Sequence, residues 1–456
     1  MNPPMTRRVM LQSLSTGLGS VALLGALADE QARAADAKPA VLPHFAPKAK
    51  ANVVLFMPGG PSQMDLFDPK PALETHAGQR PESVNLRTER TTGGLYPSPF
   101  KFAKHGQSGL EVSELLPKLA AIADDLCVVR SMYTFNPTHT PARSLFHTGN
   151  IAATRPGMGS WISYGLGSEN RNLPGFVALA PGGGGAGMRS GFLPAKHQAT
   201  ALDDTITDPE RMIRHLRNQQ LDPAAQRRQL DLVQELNRDH QRAVGEDEFL
   251  EARIQAMETA YRMQTEATDA FDLRGEPAAV REEYGKTPFA NGCLLARRLV
   301  ERGVRTVHVH YGPGQPWDDH SKINKHLRGR CPDMDRASAA LITDLKRRGL
   351  LATTAVVWGG EFGRTPVSES GDGRDHNPYG FTMFMAGGGI LRRRLLRRHR
   401  RVRLPGGGPA GVDPRPARDA VARYPRHRPR EATYRYAGRD FRLTDVYGEV
   451  VRDLLA

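Results

Sequence analysis

Five short apolar runs rich in β-branched residues restrict what this chain can become more than any other feature. They are NVVLFM (52–57), LCVVRSM (126–132), RTVHVHY (305–311), TTAVVW (353–358) and FTMFMA (381–386). Each is apolar almost throughout rather than alternating, the pattern of a strand buried on both faces. Between several of them lie helical patterns, NGCLLARRLVERG (291–303) and MDRASAALITDLKRRG (334–349), each closing in basic residues and Gly as a helix C-terminus does. Such strands alternating with helices predict an α/β fold with a mostly parallel sheet. The charged segment 222–270 predicts a long amphipathic helix, or a pair of them, lying over the outside.

In a sheet of this kind, ligands gather at the carboxyl ends of the strands. The polar residues stand at those places. The first strand leads into PGGPSQMDLFDPKP with Asp65 and Asp68, and the second into YTFNPTHTPARSLFHTG with His139 and His147. The third leads into GPGQPWDDHS with Asp318 and His320, and the fourth into GGEFGRTP and GRDHNPYG with Glu361, Asp375 and His376. A WDDH or GRDH tetrapeptide alone is more often a capped turn. The convergence of carboxylates and imidazoles from distant parts of the chain is what a divalent metal site needs, with zinc, calcium and magnesium all open. The run GGGGAG (182–187) lacks the strand–helix context of a dinucleotide fingerprint and is not read as one.

With these loops in view, the chain resembles the twin-arginine-exported, sulfatase-like bacterial proteins classed as domain of unknown function 1501, in the alkaline phosphatase superfamily. The residues that carry the resemblance are LFMPGGPSQMDLFDPKP, GFLPAKHQ, LLARRLVERGVRTVHVHYG, WDDH, LITDLKRRGLL, VVWGGEFGRTP, GRDHNPYGFTMFMAGGGI and the terminal TYRYAGRDFRLTDVYGEVV. The resemblance implies a three-layer alkaline phosphatase/sulfatase-like α/β domain and metal-dependent hydrolysis of a phosphate or sulfate ester, the substrate being a small molecule or a carbohydrate ester. It implies Asp65 as the first metal-binding carboxylate, Asp318 and His320 on the same or a second ion, and Glu361, Asp375 and His376 as further metal ligands.

The nucleophile departs from the sulfatase pattern. In HTPARSLFHTG, Pro141, Arg143, Thr148 and Gly149 fit a motif of Cys or Ser followed by x-Pro-x-Arg and then Thr-Gly, but the nucleophile position falls on His139. A histidine cannot become formylglycine. His139 and Arg143 are therefore the candidate catalytic residues, His139 as phosphate acceptor or metal ligand, with Thr138, Thr140 and Ser144 as nearby hydroxyls. A secreted binding or scaffold protein on the same fold, without the chemistry, is the alternative.

The N-terminus reads as an export signal. TRRVMLQ (Thr6 to Gln12) precedes the apolar run LSTGLGSVALLGALA and the small-residue cleavage options ARA and ADA, so residues 1–34 are expected to be a twin-arginine signal peptide. The run is shorter than the roughly 20 residues that span a bilayer. Expected partners are thus the twin-arginine machinery and a substrate, with no transmembrane anchor after cleavage and a periplasmic or secreted location. Cys127, Cys293 and Cys331 are too few and too oddly numbered for a disulfide framework.

Residues 35–390 form the expected sulfatase-like domain, and 431–456 its C-terminal end. Between them, residues 391–430 hold 14 Arg, no Lys, no Glu and only Asp413 and Asp419, a net of +12 out of +14 for the whole chain. A basic stretch ordinarily points to nucleic acid. Here Tyr424 is the one aromatic residue in the block, too few for an aromatic-interleaved groove, and folded export argues against such a role, so no nucleic-acid partner is expected. One permitted encoding of LRRHRRVRLP (396–405), read one base later, gives YGATDEFGYR, and PRPARDA (414–420) likewise gives HDLHATL, both phrases typical of the family. The block is therefore read as a frameshift entered near 391 and corrected near 431, with too few apolar residues to order itself. Loss of the unit it replaces is expected to expose the strand at 381–386.

Overall fold

A computed structural model describes residues 48–396, except 82–87, 89, 152–153, 182–186, 206–207, 213–219, 246–247 and 267, together with 433–436 and 439–442. The expected signal peptide and most of the arginine block lie outside the described residues.

The strands are β1 (Ala51–Phe56), β2 (Phe102–His105), β3 (Leu110–Ser113), β4 (Leu126–Met132), β5 (Phe176–Leu179), β6 (Thr200–Leu202) and β7 (Thr306–His310). They continue with β8 (Thr354–Gly359), β9 (Gly363–Glu369), β10 (Gly373–Asn377), β11 (Phe381–Gly387) and β12 (Arg394–Leu396), and with a terminal hairpin of β13 (Thr433–Tyr436) and β14 (Arg439–Arg442). Eight of them form the central sheet in the order β12-β4-β11-β8-β1-β7-β5-β6. β11 alone runs against its neighbours β4 and β8, and every other pairing is parallel.

Helices cover both faces, as the uninterrupted apolar runs require. The helices that matter for the site are α1 (Gln63–Leu66), α2 (His139–Thr148), α3 (Pro223–Val244), α4 (Glu248–Glu266), α5 (Pro288–Glu301) and α6 (Ile323–Arg347). One face of the sheet presents Val53, Leu55, Val307, Val309, Val356 and Phe384 to a core shared with Leu294, Leu295 and Leu299 of α5 and Leu341 and Leu345 of α6. Each such side chain, fully buried, contributes about 1.5–3 kcal/mol. The opposite face carries Phe56, His308 and His310, which pack against His147 of α2 and Phe176 of β5. The result is the expected three-layer α/β architecture with a mostly parallel central sheet.

Three differences from the sequence reading have physical causes. α6 begins at Ile323, 11 residues before the predicted start, and runs through Pro332 in its interior. The predicted exposure of strand 381–386 is corrected: β11 lies between β4 and β8, and Phe381, Met383, Phe384 and Ala386 are all buried. The first residues of the arginine block supply the edge beyond β4, where β12 pairs in parallel with Cys127, Val128 and Val129. The predicted outer helix pair is α3 and α4.

Candidate functional site

The carboxyl edge is assembled around two glycines. Past β1 the chain turns through Gly59 and Gly60 at φ of 111° and 84°, values that favour glycine. A Cβ on Gly59 would stand 2.6–2.9 Å from the backbone of Trp317 and Asp318, so the WDDH loop beyond β7 can approach only because that atom is missing. The fully buried Arg364, on β9, ties the loops together. Its guanidinium donates to the carbonyls of Gly59 and Gly60, to Trp317 O at 3.1 Å and to Arg374 O at 3.1 Å, and it reaches Asp318 Oδ1 at 2.6 Å. The β9–β10 hairpin then delivers Glu369, Asp375 and His376, with a register shift between Arg374 and His376. Such bulges re-aim side chains beside sites.

Three imidazoles converge on Asp318. His139 Nε2 lies 3.2 Å from Asp318 Oδ2, while His320 Nε2 and His376 Nε2 lie 2.9 and 3.0 Å from Oδ1. The two latter nitrogens are 3.1 Å apart. On each ring the other nitrogen is held by an acceptor. His139 Nδ1 meets Glu361 Oε1 at 2.7 Å, His376 Nδ1 meets the Pro137 carbonyl at 2.7 Å, and His320 Nδ1 meets Glu369. A carbonyl or carboxylate oxygen can only accept, so Nδ1 gives its proton to that partner on each ring; an Nε2 that bonds the Asp318 carboxylate carries a second proton, and losing it frees a lone pair for a cation.

The electrostatics follow from these contacts. Burial opposes the charge on Asp318, but hydrogen bonds from His139, His320 and His376, with the Arg364 guanidinium, hold its carboxyl well below the ordinary range. Burial likewise works against protonation of His139 and His320. Asp318 and Glu361 outweigh it at the first, and Asp318 and Glu369 at the second, so both pKa values are raised.

This donor set can hold a metal ion. One ligand atom each from His139, Asp318 and His376 lie within 4.8 Å of one another, and the same holds for His320, Asp375 and His376. Imidazoles whose far nitrogens are pinned by carboxylates and a carbonyl are the outer-sphere arrangement of metal-binding histidines.

The expected residues take different places. Asp318, His320 and His376 form the cluster, and His139 joins it with Nδ1 on Glu361 and Nε2 at 3.2 Å from Asp318 Oδ2. Glu361 faces His139 and accepts from the Gly59 N–H at 3.0 and 3.2 Å, so it orients the imidazole. Asp375 accepts from Arg90 N at 2.8 Å and from His376 N at 2.7 Å, and stands 3.9 Å from His320 Nδ1. Asp65, on α1, is not gathered with the imidazoles. Its fully buried carboxylate is paired with Arg374 at 2.9 and 3.3 Å and accepts from Ser62, so a guanidinium fills the place expected of a metal ion beside it. Ser144 donates to Asn150 O at 2.9 Å, away from the cluster. Arg143, one turn along α2 from His139, lines a cavity rather than the cluster. Sequence reasoning missed Glu369, Arg364 and Arg374, whose only sign was a run of charged residues between two strand signals.

Comparison with known proteins gives one strong match. A family described as Protein of unknown function (DUF1501) matches residues 49–455. No curated protein matches significantly. Among solved structures, Ps i-CgsB aligns at 10% identity with a TM-score of 0.31, over 74% of this chain and 65% of that one, so the chain spans just under two thirds of its length. The alkaline phosphatase from the Antarctic bacterium TAB5 aligns at 10% identity and a TM-score of 0.29, over 76% of this chain and 93% of that one. A Bacteroides thetaiotaomicron protein described under the metabolism of multiple glycosaminoglycans aligns at 13% identity and a TM-score of 0.29, over 75% and 68%. At such scores the overlays carry no argument about chemistry.

Proposed function

The chain belongs to the DUF1501 family of proteins of unknown function, and from its strand-end cluster we propose that it is an exported, metal-dependent hydrolase of phosphate or sulfate esters. The observation that carries the reading is the convergence of three Nε2 atoms on Asp318, with each Nδ1 held from behind. His139, Asp318, His320 and His376 would hold the ion, and a nitrogen-rich set favours zinc or a similar borderline metal over magnesium or calcium. Bound there, the metal supplies Lewis acidity at an ester oxygen. Glu361 and Glu369 fix the rings, and Arg364 fixes Asp318. His139, its Nδ1 held by Glu361 and its Nε2 left to face the ion, is a ligand in this reading and no longer the nucleophile, so the attacking oxygen comes from water.

Export rests on the paired Arg7 and Arg8 and the apolar run behind them. Among the described residues no helix is long and apolar enough to cross a membrane.

The test is metal content and turnover measured together. Purified protein dialysed against zinc should retain about one equivalent by mass spectrometry, and Asp318→Ala and His376→Ala should lose it while keeping their fold. Hydrolysis of 4-nitrophenyl phosphate or sulfate should depend on that metal. Metal without turnover on any ester favours the binding-protein alternative, which the lack of a Cys or Ser at position 139 also favours. A wild-type protein that takes up no metal overturns the proposal.

A further inference from the structure

Two turns of α2 join the metal cluster to a cavity that it does not use. His139, Arg143 and His147 recur every four residues, so they share one helix face at intervals of about 6 Å. The cavity, about 110 Å³, lies at the ends of β1, β5 and β7 and is lined by Arg143, His147, His310, Phe56 and the Gly312–Gly314 turn. His147 is 1% exposed and His310 9%, and His147 Nδ1 and His310 Nε2 have no hydrogen-bond partner among the described residues. Arg143 has no carboxylate partner among the described residues either.

A buried polar atom left unpaired costs about 1–3 kcal/mol, so two such atoms beside a partly buried guanidinium call for an occupant. Its chemistry is constrained. The guanidinium excludes a cation and offers several N–H donors in a planar fork, the arrangement that suits an oxyanion. Burial, with neighbouring positive charge second, pushes His310 down to about 4 and His147 well below its ordinary value, so both rings are neutral at physiological pH and each has an N–H to give.

We propose that this cavity is an oxyanion pocket, formed by Arg143, His147 and His310, that holds a phosphate or sulfate group of the substrate one helical turn from His139. The inference deepens the hydrolase reading by giving the substrate a compact, acceptor-rich anionic group, but the pocket itself is built without the metal ligands.

Titration calorimetry tests it with inorganic phosphate and, separately, inorganic sulfate, each on metal-loaded and on chelator-treated wild-type protein. At least one anion should bind in the submillimolar range, and chelation should change its affinity by less than about threefold. Arg143→Gln should weaken binding at least tenfold, and Arg143→Lys, which keeps the charge but loses the fork, by an intermediate factor. The preferred anion identifies which of the two groups the substrate carries into the pocket. His320→Ala, at the cluster, should leave anion binding intact. Unchanged affinity in Arg143→Gln, or no binding of either anion to wild type, overturns the proposal. Binding abolished by chelation puts the anion on the metal and overturns the pocket while sparing the metal reading. Anion binding by a protein that takes up no metal supports the pocket and sinks the hydrolase reading.

Discussion

Replacing His308 by leucine should change how stability responds to acid, by an amount that can be worked out beforehand. His308 is fully buried on β7, and neither ring nitrogen has a hydrogen-bond partner among the described residues. Burial, and after it the neighbouring His310, pushes its pKa down to about 3, against about 6.5 in an unfolded chain. Above pH 6.5 the ring is neutral in both states and adds nothing to the pH dependence. Below it the unfolded chain takes up a proton that the folded chain refuses, so stability falls as pH drops from about 6.5 toward 3. Between pH 7.5 and 5.0 roughly 1.5 units of that window are crossed, worth about 2 kcal/mol at about 1.36 kcal/mol per unit. The whole-protein profile mixes this with other groups. His147, His197 and His310 are depressed in the same direction, whereas Asp204, raised to about 7, and Asp335, raised to about 6, act oppositely. The difference between wild type and His308→Leu isolates the one ring. Urea unfolding at the two pH values should show that difference moving about 2 kcal/mol in the variant's favour at pH 5.0. If it is the same at both pH values within a few tenths of a kcal/mol, His308 is not held neutral and the reasoning fails.

Two further results are expected. A Cβ on Gly373 would lie 2.1 Å from the carbonyl carbon and oxygen of His320, so Gly373→Ala should displace His320, lower zinc affinity at least tenfold and cost about 1–3 kcal/mol in thermal unfolding, whereas Gly329→Ala, with open space around it, should do neither. Resequencing the gene across codons 385 to 435 should reveal a single-base change near each end of the arginine block; an intact frame would make the 14 arginines genuine and remove the frameshift reading.

The layout of the sheet was legible because its interior strands are buried by apolar packing, which leaves continuous runs such as NVVLFM and FTMFMA. β5 and β6 were missed because four and three residues are too few to show a pattern. The β9–β10 hairpin was missed for a different reason. Arg364, Thr365, Arg374, Asp375 and His376 are buried by pairing with one another and with distant loops, and burial of that kind leaves no hydrophobic signature. The residue types of the site could be read from the strand ends, but not who faces whom. Nothing in one dimension says that Asp65 meets Arg374 while Asp318 meets three imidazoles, since both carboxylates follow a strand and both precede a polar loop. His308 and His310 were hidden inside a strand signal, although their spacing of two places them on one face.

Arg364 and Arg374 bear on the order of assembly. Each brings a fixed positive charge to a carboxylate, the partly buried Asp318 in the first case and the fully buried Asp65 in the second. The repulsion that would keep these loops apart is thus cancelled by the chain itself. In a small zinc domain, ion capture and folding are one event, because nothing else holds the ligands together. In the metal-dependent reading proposed above, the scaffold would close first and recruit its ion afterwards, and a chelator would strip the site without unravelling the loops that frame it.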